Sequence, residues 1–121
     1  MPKHMLIIWT NGEAWNQMSQ EEQQGLFKEY FEYTQWLQDQ GWFEHGDPLQ
    51  PPAKTVRVRD GKTEVTDGPF AETKEFLGGY YMLECSEKEA LEAAAKLPDV
   101  RFGAVEVHEV MPVEGAPGGG S

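Results

Sequence analysis

Cationic side chains are scarce: 10 Lys and Arg stand against 21 Asp and Glu, a formal net charge of -11 over 121 residues. Such a surface repels phosphates, which disfavours nucleic acid as a main partner except where the few cations cluster. Cysteine is nearly absent. Cys85 is the single one, so an internal disulfide and a cysteine-based zinc or iron–sulfur framework are excluded, and a reducing, cytoplasmic setting is the default expectation. The sequence also lacks a charged-then-apolar leader and any apolar run approaching ~18 residues, so export and membrane spanning have no signal. No glycine-rich loop precedes a helix, no Ser or Cys occupies a nucleophile elbow, and His4, His45 and His108 share no ligand spacing. Neither a cofactor nor a metal is therefore expected.

What is present fits one domain, residues 1–113, followed by a Gly-rich tail, EGAPGGGS at 114–121, expected to be disordered. A domain of this size buries roughly two thirds of its unfolded surface and needs no staple. MLIIW at 5–9 is apolar on both parities of a strand. A polar loop is expected next. SQEE at 19–22 is a capping box, and Leu26, Phe27, Tyr30, Phe31, Tyr33, Thr34 and Leu37 recur at helical spacing until Gly41, which predicts a helix over 19–40. A short strand at 42–44 precedes GDPLQPPA, expected to be irregular because its prolines withhold amide donors.

In TVRVRDGKTEVTD, Asp60-Gly61 marks a two-residue hairpin turn. That turn sets the register, with Arg59 opposite Lys62, Val58 opposite Thr63, Arg57 opposite Glu64, and Val56 opposite Val65. FLGGYYMLEC at 76–85 reads as a strand with a glycine-marked bulge or close approach. A second capping box at 86–89 opens a short helix closed by Pro98, and a last strand spans 103–110. The order gives an α+β class: a ferredoxin-like split β-α-β antiparallel sheet with two helices and an inserted hairpin. Two helices cover one sheet face only, while two strands are apolar on both, so a homodimer with face-to-face sheets is expected.

The segment LQPPAKTVRVRDGKTEVTDGPFAETKEFLGGYYMLE, residues 49–84, resembles the YCII-related proteins of the DGPF type, more weakly so over the first strand, the SQEE helix and the last strand. The resemblance implies a ferredoxin-like, dimeric α+β barrel in a bacterial cytoplasmic protein. For some members it implies genomic association with extracytoplasmic-function sigma factors, and for relatives an enzymatic role resting on a His-Asp pair in a cleft. Here the relatives' histidine falls on Tyr30, so that pair is not kept in kind.

Asp67 is the first candidate for acid–base work, since it ends a strand before Gly-Pro and would be partly desolvated beside Phe70 and the aromatic sheet. It reads equally well as a turn former. Glu72, Lys74 and Glu75 follow within eight residues and supply an acid, a base and an ammonium, or simply a solvated lead-in to the next strand. Tyr30 and Tyr81 could orient a ligand, although phenols at such positions more often belong to the core. Arg57 could clamp an anion, but the register offers it Glu64. His45-Gly46-Asp47 sets an imidazole near a carboxylate in a stretch that reads as loop polarity.

The leading expectation is a protein that binds a small organic molecule in a cleft near the DGPF loop. Asp67 would act as general acid or base, and Tyr30, Arg57, Phe70, Glu72, Lys74 and Tyr81 would contact the ligand. The alternative is a non-catalytic regulatory module that presents the cationic hairpin or an acidic helix to a sigma-factor-type protein. A vestigial site is the third reading.

Overall fold

The computed structural model describes residues 2–50, 53–67 and 75–113. Burial alternates along the first strand, β1 (Lys3–Asn11): His4, Leu6, Ile8 and Thr10 are buried, and Met5, Ile7 and Trp9 on the other face are half-buried. Where the sequence predicts a polar loop, a one-and-a-half-turn helix forms instead, α1 (Gly12–Gln17). Its cause is Asn11, whose side-chain oxygen accepts the Glu13 and Ala14 amides at 3.0 and 3.2 Å. The long helix α2 (Gln20–Gln40) follows Ser19, and the expected capping box is formed with Glu22. Gly41, at φ 79°, ends it. Leu26, Tyr33 and Leu37 face the core, whereas Phe31 on the predicted apolar stripe is exposed and Phe27 meets Trp15 of α1 edge-on.

Strand β2 (Phe43–Pro48) outruns its predicted end and takes in His45-Gly46-Asp47. It lies at the sheet edge, where the terminal Pro48 withholds no needed donor. Strands β3 (Lys54–Arg59) and β4 (Lys62–Asp67) form a two-stranded sheet of their own in the predicted register, turning on Asp60 and Gly61, both at positive φ. Strand β5 (Glu75–Glu84) pairs with β1, and a register shift at Ile8/Trp9 realises the bulge that the paired glycines signal. The second capping box, Ser86 with Glu89, opens α3 (Glu87–Lys96). Pro98 then begins a 3-10 turn, Pro98–Arg101, before the last strand, β6 (Ala104–Glu109).

The main sheet runs β2-β5-β1-β6 with every neighbour antiparallel, the ferredoxin-like order. Helices α2 and α3 bury one of its faces. Leu6, Ile8, Leu83, Tyr81 and Cys85 from the sheet meet Tyr33 and Leu37 of α2 and Ala90, Ala93 and Ala94 of α3. The polar tips entering this core are satisfied: the Tyr33 hydroxyl donates to the Ala93 carbonyl at 2.6 Å, and His4 Nδ1–H to the Cys85 carbonyl at 3.0 Å.

Burial, and then Glu89, push the Cys85 thiol up to about 11 from an ordinary 9.0, and burial drives the Tyr33 phenol up as well. The folded chain thus holds these protons more tightly than the unfolded one. Stability is fully present below about pH 9 and falls as pH rises through about 11. Urea denaturation at stepped alkaline pH should show that decline. In the folded protein Cys85 should resist alkylation at neutral pH, and rapid labelling without denaturant would contradict its burial.

Candidate functional site

A buried polar cluster sits where β1, α2 and the 3-10 turn meet. The parity of β1 turns Thr10 toward the helices, 7 % exposed. It fits there because Gly78 in the β5 bulge leaves the space vacant: a Cβ on Gly78 would collide with Thr10 Oγ1. Asp99 comes from the 3-10 turn, where its carbonyl accepts the Phe102 and Gly103 amides at 3.1 and 2.8 Å and fixes its position. A Cβ on Gly103 would run into the Trp9 carbonyl, so glycine lets the chain press against β1 at this point.

Thr10 Oγ1 donates to Asp99 Oδ2 at 2.6 Å. Asp99 is only 5 % exposed, and its other oxygen, Oδ1, is buried without a hydrogen-bond partner among the described residues. Leaving a buried carboxylate oxygen unpaired is costly, so its retention calls for an explanation. Tyr30 of α2 adds a phenol whose ionisation is driven far up by burial, then by the adjacent Asp99 charge and a side-chain hydrogen bond to Asp99, with smaller contributions from Tyr81 and Tyr33. Behind it, the Tyr81 hydroxyl shares a 3.0 Å hydrogen bond with Thr34 Oγ1, and its ring meets Tyr33 edge-on at 5.5 Å. Chemically, the cluster offers a carboxylate oxygen able to accept a hydrogen bond or proton and a neutral phenol able to donate one.

Of the residues singled out from sequence, Tyr30 and Tyr81 come together here. Asp67 does not stand in a desolvated position. It ends β4 opposite Lys54, to which it is paired at 2.7 Å, and its side chain is 79 % exposed. Among the described residues the two-stranded hairpin has no second layer in which a carboxylate could be buried. Arg57 faces Glu64 in register, and Glu64 also takes an ion pair from the diagonal Arg59 at 3.8 Å. Phe70, Glu72 and Lys74, with the Gly-rich tail, lie outside the described residues. The chain re-enters at Glu75, whose partner on β1 is Asn11, and the next residue, Phe76, stands opposite Thr10.

Asp99 and Thr10 escaped the sequence reading. A signal existed for Thr10, since strand parity puts it on the face of Leu6 and Ile8. Asp99 after Pro98 reads as an ordinary turn residue, and its burial depends on β1, which is distant in sequence.

The sheet order, with α2 and α3 on one face, defines a ferredoxin-like α+β protein. The model of the YCII-related domain matches residues 4–114, and the chain belongs to that family. It is also similar, 52 % identical over 46 residues, to "Uncharacterized protein R00369" of Rhizobium meliloti (strain 1021). That stretch spans 37 % of this chain and 37 % of the relative. Among the described residues no helix is long and apolar enough to cross a membrane.

Proposed function

We propose that the chain binds a small organic molecule at the Thr10–Asp99–Tyr30 cluster, with Asp99 accepting a hydrogen bond or proton from it and Tyr30 donating. The observation that supports this is the buried, unpartnered Oδ1 of Asp99. A ligand hydroxyl or amine would satisfy it. In this reading Tyr81 backs the site, and Phe70, Glu72 and Lys74, outside the described residues, are the further ligand contacts expected from the sequence. The reading includes a homodimer, because α2 and α3 leave Met5, Ile7, Trp9, Tyr80 and Met82 on the opposite sheet face.

The test is a thermal-shift screen of a metabolite library against wild type, Asp99→Asn, Tyr30→Phe and Asp67→Asn, with sedimentation velocity expected to give twice the 13.7 kDa chain mass. Asn keeps the shape of Asp and an oxygen for Thr10, so Asp99→Asn should fold with a melting temperature near that of wild type. A ligand at 100 times its dissociation constant stabilises by about 2.7 kcal/mol. That shift should appear in wild type and vanish in Asp99→Asn. An equal shift in both would remove Asp99 from the role, and retention in Asp67→Asn would separate Asp99 from Asp67.

The hairpin favours a second reading. Lys54, Arg57, Arg59 and Lys62 are exposed along it beside Val56, Val58 and Val65, which are 59, 67 and 57 % exposed. A module of this kind would dock an acidic protein, such as a sigma-factor-type partner, through the hairpin. Stoichiometric complex formation lost on Arg57→Glu/Arg59→Glu would support it, and unchanged binding by that variant would count against it.

A further inference from the structure

The helix side of the sheet carries a groove of about 430 Å³ between α2 and the stretch where α3 gives way to the 3-10 turn. Helical spacing builds one wall, since Glu29, Glu32, Tyr33 and Trp36 recur at intervals of three and four along α2. The other wall follows from Pro98, which cannot continue α3 and sends the chain into the turn, so that Lys96, Val100 and Arg101 come to line the groove. Asp99 belongs to the same turn, but its carboxylate is bonded inward to Thr10 of β1 and does not line the groove. The sheet face that the proposed homodimer buries is the opposite one, so the groove is open in the monomer and in that dimer alike.

Two of its four charges are committed to each other. The Arg101 guanidinium donates to both carboxylate oxygens of Glu29, at 3.2 and 2.6 Å, and its Nε to the Pro98 carbonyl at 3.1 Å, so this pair closes one part of the groove. The other two charges are held loosely. Glu32, one helical turn before Trp36, is exposed and has no ion pair among the described residues. Lys96 Nζ lies 4.4 Å from the centre of the Trp36 ring and 3.4 Å from Glu92, an exposed pair of the weak surface kind. Trp36 itself is half-buried and braced, edge-on by Trp42 at 5.4 Å and by Tyr33 at 6.0 Å. We propose that the groove binds a free α-amino acid with an apolar side chain, its ammonium on Glu32, its carboxylate on Lys96, and its side chain on Trp36 and Val100.

Charge complementarity selects that class. Glu32 and Lys96 border one aromatic ring without closing on each other, and a ligand that answers both must carry an ammonium and a carboxylate close together. An α-amino acid has the two on one carbon, whereas a peptide sets its termini apart. A simple carboxylic acid would meet Glu32 as a like charge, and a simple amine would meet Lys96 as one. Arg101 does not compete for the ligand carboxylate, because Glu29 already fills its fork, while Lys96 gives up only its weak contact with Glu92. The braced Trp36 ring and Val100, 39 % exposed, supply the apolar surface for the side chain. The volume is at the small end of the roughly 300–1,000 Å³ usual for ligand pockets, enough for one amino acid.

The test titrates the full chain, labelled with nitrogen-15, with L-phenylalanine and follows the Trp36 indole N–H signal, identified by its loss in Trp36→Phe. In wild type that signal should move and saturate. Phenylpropanoate, which lacks the ammonium, and phenylethylamine, which lacks the carboxylate, should each bind about tenfold more weakly or worse, as expected for loss of one hydrogen bond to a charged group. Glu32→Gln should bind phenylalanine no more tightly than phenylpropanoate, and Lys96→Met should bind it no more tightly than phenylethylamine. Both side chains are exposed, so both variants should fold as wild type does. Asp99→Asn should leave the titration unchanged, which separates this groove from the site above. No saturable shift at Trp36, phenylalanine binding no tighter than either analogue, or full affinity in Glu32→Gln or Lys96→Met would each overturn the proposal.

Discussion

Truncation of Leu83 to alanine lowers the unfolding free energy by about 2–5 kcal/mol, the range for a fully buried leucine. Leu83 is 0 % exposed and lies in β5, one of the two central strands, with His4 opposite on β1 and Phe43 opposite on β2. Both neighbouring strands are tied to β5 by backbone hydrogen bonds, so the walls of the resulting cavity cannot close in, and the cost should fall in the upper part of the range. Val56→Ala in the hairpin provides the contrast, since its side chain is already exposed and should change stability by no more than about 0.5 kcal/mol. Urea denaturation measures both, with the slope unchanged if each variant unfolds in one step. A loss below about 1 kcal/mol at Leu83 would mean that the core repacks freely, against the tight packing expected of such interiors.

The parts of the fold legible in the sequence were those fixed by neighbours along the chain. The capping boxes at Ser19 and Ser86, the Gly41 stop and the Asp60-Gly61 turn each depend on residues within four positions, and each formed as read. The sheet order followed from alternating elements and the rules of connection. What escaped depends on distant partners. Strand β2 extends through His45-Gly46-Asp47 because β5 is there to pair with it, and no local pattern reports that pairing. Asp67 was expected to be partly desolvated from its place at a strand end before Gly-Pro, but a position along the hairpin does not say what covers it, and its side chain is exposed. Asp99 is hidden by β1 and by Thr10, 89 positions away in sequence. Tyr30, read both as a phenol at helical spacing and as the position of the relatives' histidine, is the candidate that the fold brings beside this carboxylate.

Substitution of Gly78 by alanine should destabilise the fold by about 1–3 kcal/mol, the usual cost of forcing an extra carbon into a filled site. The obstacle is specific. The added Cβ would enter the space of Thr10 Oγ1, and Thr10 cannot swing aside without losing its 2.6 Å bond to Asp99, a buried carboxylate whose Oδ1 already lacks a partner among the described residues. Removing the hydroxyl removes the collision, since the next atom, Thr10 Cβ, lies 3.2 Å away, tight but tolerable after a small shift. Thr10→Ala alone loses the hydrogen bond to a charged group and should cost about 1.5–3 kcal/mol. The double variant Thr10→Ala/Gly78→Ala should therefore be more stable than the two single effects added together, by at least about 1 kcal/mol, the signature of residues in direct contact. Thr10→Ser, which keeps the oxygen, should give no such relief with Gly78→Ala. Strict additivity in the first pair would show that Gly78 is required by the β5 bulge itself and not by the Thr10–Asp99 bond, and the glycine would then belong to the sheet and not to the candidate site.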